Sequence, residues 1–106
     1  MKARFSVVVI GIVVGVAGIA YAAQHKIGQK GRLFNPSALT VKVGDTLTFE
    51  NDDDVTHHVY SPTKGQEFDL KPLSPGEKKT QTFAKTGRVD IRCGLHPGMR
   101  LVVTVE

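Results

Sequence analysis

Cysteine is the scarcest informative residue in this chain: Cys93 is the only one among 106 residues. A lone cysteine excludes an internal disulfide. Dense basic runs are also missing. Lys and Arg are interleaved with acids, which leaves no nucleic-acid footprint. No stretch beyond the N-terminal segment carries a helical hydrophobic period, and there is neither an internal repeat nor a low-complexity tract. The longest near-continuous apolar run, Phe5 to Ala20, is shorter than the roughly 20 residues of a typical membrane span. The length leaves room for one small domain.

What is present begins with an export pattern. Lys2 and Arg4 make a positive start, the apolar run follows, and Ala20-Tyr21-Ala22 offers a small-x-small cleavage site. Residues 1–22 therefore read as a signal peptide and 23–106 as the folded domain. An uncleaved anchor is the alternative, because Tyr21 to Ala23 extends the run. The whole chain has 14 basic and 10 acidic residues. Without Lys2 and Arg4 the balance is 12 to 10, so the formal charge falls from +4 to +2. Part of the basic character belongs to the leader. The predicted location is the periplasm or another exported compartment. An exported domain this small needs a disulfide, a metal or an exceptionally good core.

The rest of the chain reads as short strands. Lys26 to Gln29 is an edge-strand candidate, and Phe34-Asn35-Pro36-Ser37 reads as a turn. Leu39, Val41 and Val43 alternate with polar residues, as do the apolar positions of Thr46 to Glu50, with a Gly44-Asp45 bend between. Further strands are expected from His57 to Tyr60, around Phe68 to Leu70, over Lys78 to Phe83, over Arg88 to Cys93 and over Leu101 to Val105. Loops are expected at Ser61 to Gln66 and Pro72 to Gly76. Short strands with turn signals at roughly 8–12-residue intervals predict an all-β sandwich or barrel. Val89, Ile91 and Cys93 share one face, so the thiol is expected to point inward.

The stretch Cys93-Gly94-Leu95-His96-Pro97-Gly98-Met99 places a thiol, an imidazole and a thioether at C-x2-H-x2-M spacing. A His2Cys set with a weak axial Met is the blue-copper arrangement. The second histidine must come from elsewhere, and His57 in the segment Asn51 to Val59 is the candidate. Alone, Cys93 is equally well read as a buried structural residue. Gly94 and Gly98 give the loop backbone freedom and Pro97 stiffens it. Adjacent strand residues face opposite sides, so His57 and His58 do not both reach one ion.

The chain resembles the cupredoxins, most closely the amicyanin- and plastocyanin-like small blue-copper proteins. The resemblance rests on Phe49-Glu50-Asn51 followed by His57-His58-Val59, on Phe83-x3-Gly87, and on the short Cys93-x2-His96-x2-Met99 loop. It implies a Greek-key β-sandwich, one type 1 copper ion, and His57, Cys93, His96 and Met99 as its ligands. It further implies a monomeric carrier of single electrons between a donor and an acceptor redox protein, with His96 as the electron port and Leu95, Pro97 and Gly98 as an apolar docking patch. His58 stands where the family often has Asn, and Arg92 where plastocyanins have Tyr.

No nucleophile–base pair or open second metal site marks an enzyme. A copper carrier that delivers the ion, and a copper enzyme or small-molecule sensor, are the rival readings. One cysteine rules out a dinuclear two-cysteine copper centre within the chain. The remaining features have bland readings. Asp52-Asp53-Asp54 lacks calcium-loop spacing and reads as a solvated acidic turn. His25 reads as an exposed histidine near a flexible terminus, or as a secondary Cu(II) site if cleavage follows Ala22. Lys85, Arg88, Arg92 and Arg100 are expected to form a basic rim at the metal end.

Overall fold

The computed structural model describes residues 22–106. Residues 1–21 of the signal or anchor segment lie outside the described residues. Nine strands follow one another with no helix among the described residues: β1 (Gln24–Lys30), β2 (Leu33–Asn35), β3 (Ala38–Val41), β4 (Thr46–Asn51), β5 (His57–Ser61), β6 (Phe68–Leu73), β7 (Lys78–Thr82), β8 (Gly87–Cys93) and β9 (Arg100–Val105). They form two sheets, in the orders β2-β1-β4-β7 and β3-β9-β8-β5-β6. The β1–β4 and β3–β9 pairs are parallel, and the other pairs are antiparallel. This is the expected all-β sandwich.

Alternation decides which residues meet between the sheets. β4 contributes Leu47, Phe49 and Asn51. β8 contributes Val89, Ile91 and Cys93, and β9 contributes Leu101, Val103 and Val105. Phe49 is fully buried and meets Phe34 edge-on at 6.2 Å, an arrangement that adds to its area burial.

Three local readings need correction. β1 is not an edge strand, since it lies between β2 and β4. Leu33–Asn35 pairs with β1, although its Asn-Pro signal suggests only a turn. Pro72 lies inside β6 rather than in a loop. β6 is the outermost strand of its sheet, where a missing N–H costs no ladder bond.

The Gly44-Asp45 bend does not make a hairpin. It carries the chain from one sheet to the other, so Val43 is exposed instead of sharing the inner face with Val41. Gly44 takes the crossing at φ 95°, a conformation open to glycine. The Asp45 carboxylate accepts N–H groups from Ala23 at 2.8 Å and Lys42 at 3.0 Å, and pairs with His25 Nε2 at 3.0 Å. The Lys42 amide, His25 and the Ala23 amide together lower its pKa to about 2. His25 is therefore a half-buried partner of Asp45, not a free side chain near a loose end.

β8 runs toward the ligand loop, so its residues lie at different heights on the sandwich. Arg92, paired with Arg100 in register, lies beside Cys93. Arg88 is opposite Thr104 near the other end, and Lys85 Nζ donates to Gly65 O there. The expected four-residue rim is thus split, with only Arg92 and Arg100 next to the loop.

Candidate metal centre

The β8–β9 connection and the start of β5 bring three donor groups together. β8 and β9 are antiparallel neighbours, so the loop from Gly94 to Met99 closes over one end of the sandwich. β5 pairs with β8 at Val59–Cys93, which sets His57 beside the thiol. Cys93 Sγ lies 3.7 Å from His57 Nδ1 and 3.5 Å from His96 Nδ1, and the two Nδ1 atoms are 3.2 Å apart. Three atoms so spaced share a centre about 2.0 Å from each, the length of a metal–imidazole bond. Cys93 and His57 are buried, and His96 is half-buried. Met99 is also buried, and its N–H donates to His96 O at 2.9 Å, closing the loop as a turn.

The imidazoles are prepared for this role in different ways. His57 Nε2 is 2.8 Å from Asp53 Oδ2. The Asp53 carboxylate also accepts the N–H groups of Gly31 and Arg32, both at 2.9 Å. Those contacts, the Arg32 amide first and His57 next, lower the Asp53 pKa to about 2, so it is an ionised acceptor at neutral pH. A carboxylate on Nε2 fixes the proton there and leaves the Nδ1 lone pair directed at the cluster. Burial first, then the neighbouring His57 and Arg32, holds His96 below the ordinary imidazole range, which favours the neutral form that a metal would need.

The sulfur is held as firmly. The His58 N–H points at Cys93 Sγ from 3.3 Å, and Gly94 N–H donates to His58 O at 2.8 Å. The His58 ring turns away from the cluster to Asp69 Oδ1 at 2.7 Å. Strand alternation therefore separates the two histidines as expected, with His57 in the cluster and His58 outside it. A side chain at Gly94 would meet the His58 ring, since its Cβ would be 2.6 Å from Nδ1. The absence of a side chain lets β5 approach the ligand loop this closely.

Asp53 is the functional residue that the sequence reading missed. It looked like part of a solvated turn, yet it joins His57 to the β1–β2 turn. Asn51 supports it from below. The Asn51 amide donates to Val55 O at 2.8 Å and Leu73 O at 3.0 Å, and its Oδ1 accepts the Asp53 N–H at 2.9 Å. The spacing Asn51-x-Asp53-x3-His57 was the only available signal.

Two imidazole nitrogens and a sulfur at trigonal spacing form a borderline-soft cage, and a β-sandwich that carries one falls in the class of type 1 copper proteins, with one copper ion as cofactor. The chain belongs to the cupredoxin family: residues 5–105 match the Cupredoxin-like domain. It is similar to a plastocyanin from Nostoc punctiforme, 32% identical across a 126-residue alignment that covers 96% of this chain and 91% of the relative. It is also similar to the methylamine utilization protein MauL of Methylorubrum extorquens, 34% identical over 64 residues, or 59% of this chain. The matched part spans 56% of the length of that protein. Among solved structures, the Cu(I) form of an amicyanin variant superposes with a TM-score of 0.73 at 29% identity, covering 85% of this chain and 88% of the other.

Proposed function

We propose that this protein is an exported one-electron carrier in which His57, Cys93, His96 and Met99 hold the copper ion. The single observation that carries the assignment is the convergence of His57 Nδ1, His96 Nδ1 and Cys93 Sγ around a common centre of metal-bond radius. Met99 supplies the thioether at the end of the same loop. When bound, copper supplies a one-electron step between Cu(II) and Cu(I).

The protein's residues keep that step cheap and confined. Buried His57, Cys93 and Met99 exclude water, while Asp53 and the His58 N–H fix two donors before the ion arrives. Fixed donors move little when the ion changes charge, which favours fast transfer. His96 is the port through which the electron leaves. Its surroundings form a shallow apolar depression with Arg32, Leu33, Leu95, Pro97 and Gly98, and Leu33 and Leu95 are exposed large apolar side chains. A redox protein donor and acceptor would dock there in turn, with the carrier acting as a monomer. The basic-then-apolar leader at residues 1–22 supports export to the periplasm or an equivalent compartment.

The site supports transfer better than copper delivery. Exchange of the ion needs exposed ligands, and here only His96 is partly open. The test is the visible and EPR spectrum of the Cu(II) protein beside a Cys93→Ser variant. An intense blue thiolate-to-copper band with narrow hyperfine splitting, lost in the variant, is expected. A pale spectrum with wide splitting, unchanged in the variant, would overturn the assignment and favour a histidine-based carrier.

A further inference from the structure

The outer face of the β8–β9 ribbon carries an arrangement that fold stability does not require. Arg92 and Arg100 are directly opposed across the two strands. Opposed residues have Cβ atoms about 4.5–5.5 Å apart, and like charges at that spacing destabilise a sheet. None of the ion pairs among the described residues includes either one. The nearby Asp90 is bonded to Arg88 Nε at 3.4 Å. A small groove lined by Arg88, Asp90, Arg92, Arg100 and Val102 lies along this face. Tyr60 is the neighbour of Arg92 on the other side, in register on β5.

We infer that the Arg92–Arg100 pair is a docking site for an acidic surface of a redox protein, separate from the apolar depression at His96. Two adjacent guanidinium forks match paired carboxylates, because each fork can bind one bidentately. A partner's carboxylates would relieve the repulsion that the isolated chain retains. The place is also suited to transfer, since Arg92 is joined by a peptide bond to Cys93. The one other acid in this outer row, Asp69 on β6, is held by His58 Nε2 and by the Lys71 N–H, both at 2.7 Å. The inference rests on the electron-carrier reading for its purpose, though not for the binding itself.

The test uses 15N-labelled protein titrated at low salt with a hexa-aspartate peptide, and in parallel with inorganic phosphate. Saturable amide shifts centred on Tyr60, Arg92 and Arg100 are expected from the peptide, with much weaker ones from phosphate. Arg92→Gln with Arg100→Gln should weaken peptide binding by about tenfold, and Arg100→Gln alone by about threefold. Both variants replace outward-facing side chains and should keep the parent amide dispersion. Shifts scattered over the lysines, an unchanged affinity in the double variant, or equal binding of phosphate would each overturn the proposal. The blue spectrum separates the two claims. Peptide binding at this face with no blue band would sink the electron-carrier reading alone, and a blue band with no binding would sink the docking site alone.

Discussion

Replacing Asp53 by Asn tests whether this side chain is a solvated turn residue or the support of the metal cage. Asp53 Oδ1 accepts from Gly31, while Oδ2 accepts from both Arg32 and His57. An amide has one oxygen and one NH2 group. With its oxygen toward Arg32 and His57, its NH2 confronts the Gly31 N–H. Turned over, it confronts two donors. Either way at least one donor loses its acceptor; the Gly31 N–H is at an exposed position, so this costs about 0.5–1.5 kcal/mol, and the charge-assisted bond to His57 becomes a neutral one. The metal-free variant should therefore be less stable by about 1–2 kcal/mol, with a melting temperature roughly 5–15 °C lower for a domain of this size.

The copper form gives a second readout. Removing a negative charge one imidazole away disfavours the more positive Cu(II) state, so the reduction potential should rise by roughly 40–90 mV. Thermal unfolding by circular dichroism and a redox titration measure the two effects. A variant with unchanged melting temperature and unchanged potential would refute the role assigned to Asp53.

Two further outcomes follow from the same geometry. The folded pKa values of Asp45 and Asp53 are both lowered from 3.8 to about 2. Their contribution to stability is fully present above the unfolded value and is lost as pH falls toward the folded one. Denaturant unfolding of the metal-free protein should thus show stability dropping between about pH 4 and pH 2, with a shallower drop in Asp53→Asn. Gly94→Ala forces a Cβ against the His58 ring, which Asp69 holds in place. A loss of about 1–2 kcal/mol is expected with a shifted thiolate-to-copper band, because the displaced His58 carries the N–H that faces Cys93 Sγ. Adding His58→Ala should recover part of that stability, which a double-mutant cycle in urea would measure.

The strands with clean alternation were legible in the sequence. Leu47 and Phe49 on β4, and Val89, Ile91 and Cys93 on β8, are buried as the period-two pattern requires. The donor cluster was legible too, because two of its three groups, Cys93 and His96, lie on one short loop and alternation separates His57 from His58. What was hidden depends on partners distant in sequence. Val43 continues the pattern of β3, but nothing local says that the chain leaves the sheet at Gly44. Asp53 is set apart from Asp52 and Asp54 by its bond to His57 and by the Gly31 and Arg32 amides, which lie more than 20 residues earlier. Arg88 and Arg92 look equivalent until the direction of β8 puts one at each end.

The parallel pairing of β3 with β9 also shapes the protein's birth. β9 lies between β3 and β8, so the five-stranded sheet remains two separate pieces until the residues from Arg100 to Val105 have been synthesised. Pairings this distant along the chain form slowly, because loop closure must precede any gain from contact. A nascent chain ending between Cys93 and β9 has its thiol but lacks the β8–β9 pairing that closes the loop over it. The turn that sets His96 and Met99 beside Cys93 is therefore closed only when β9 has paired with β8.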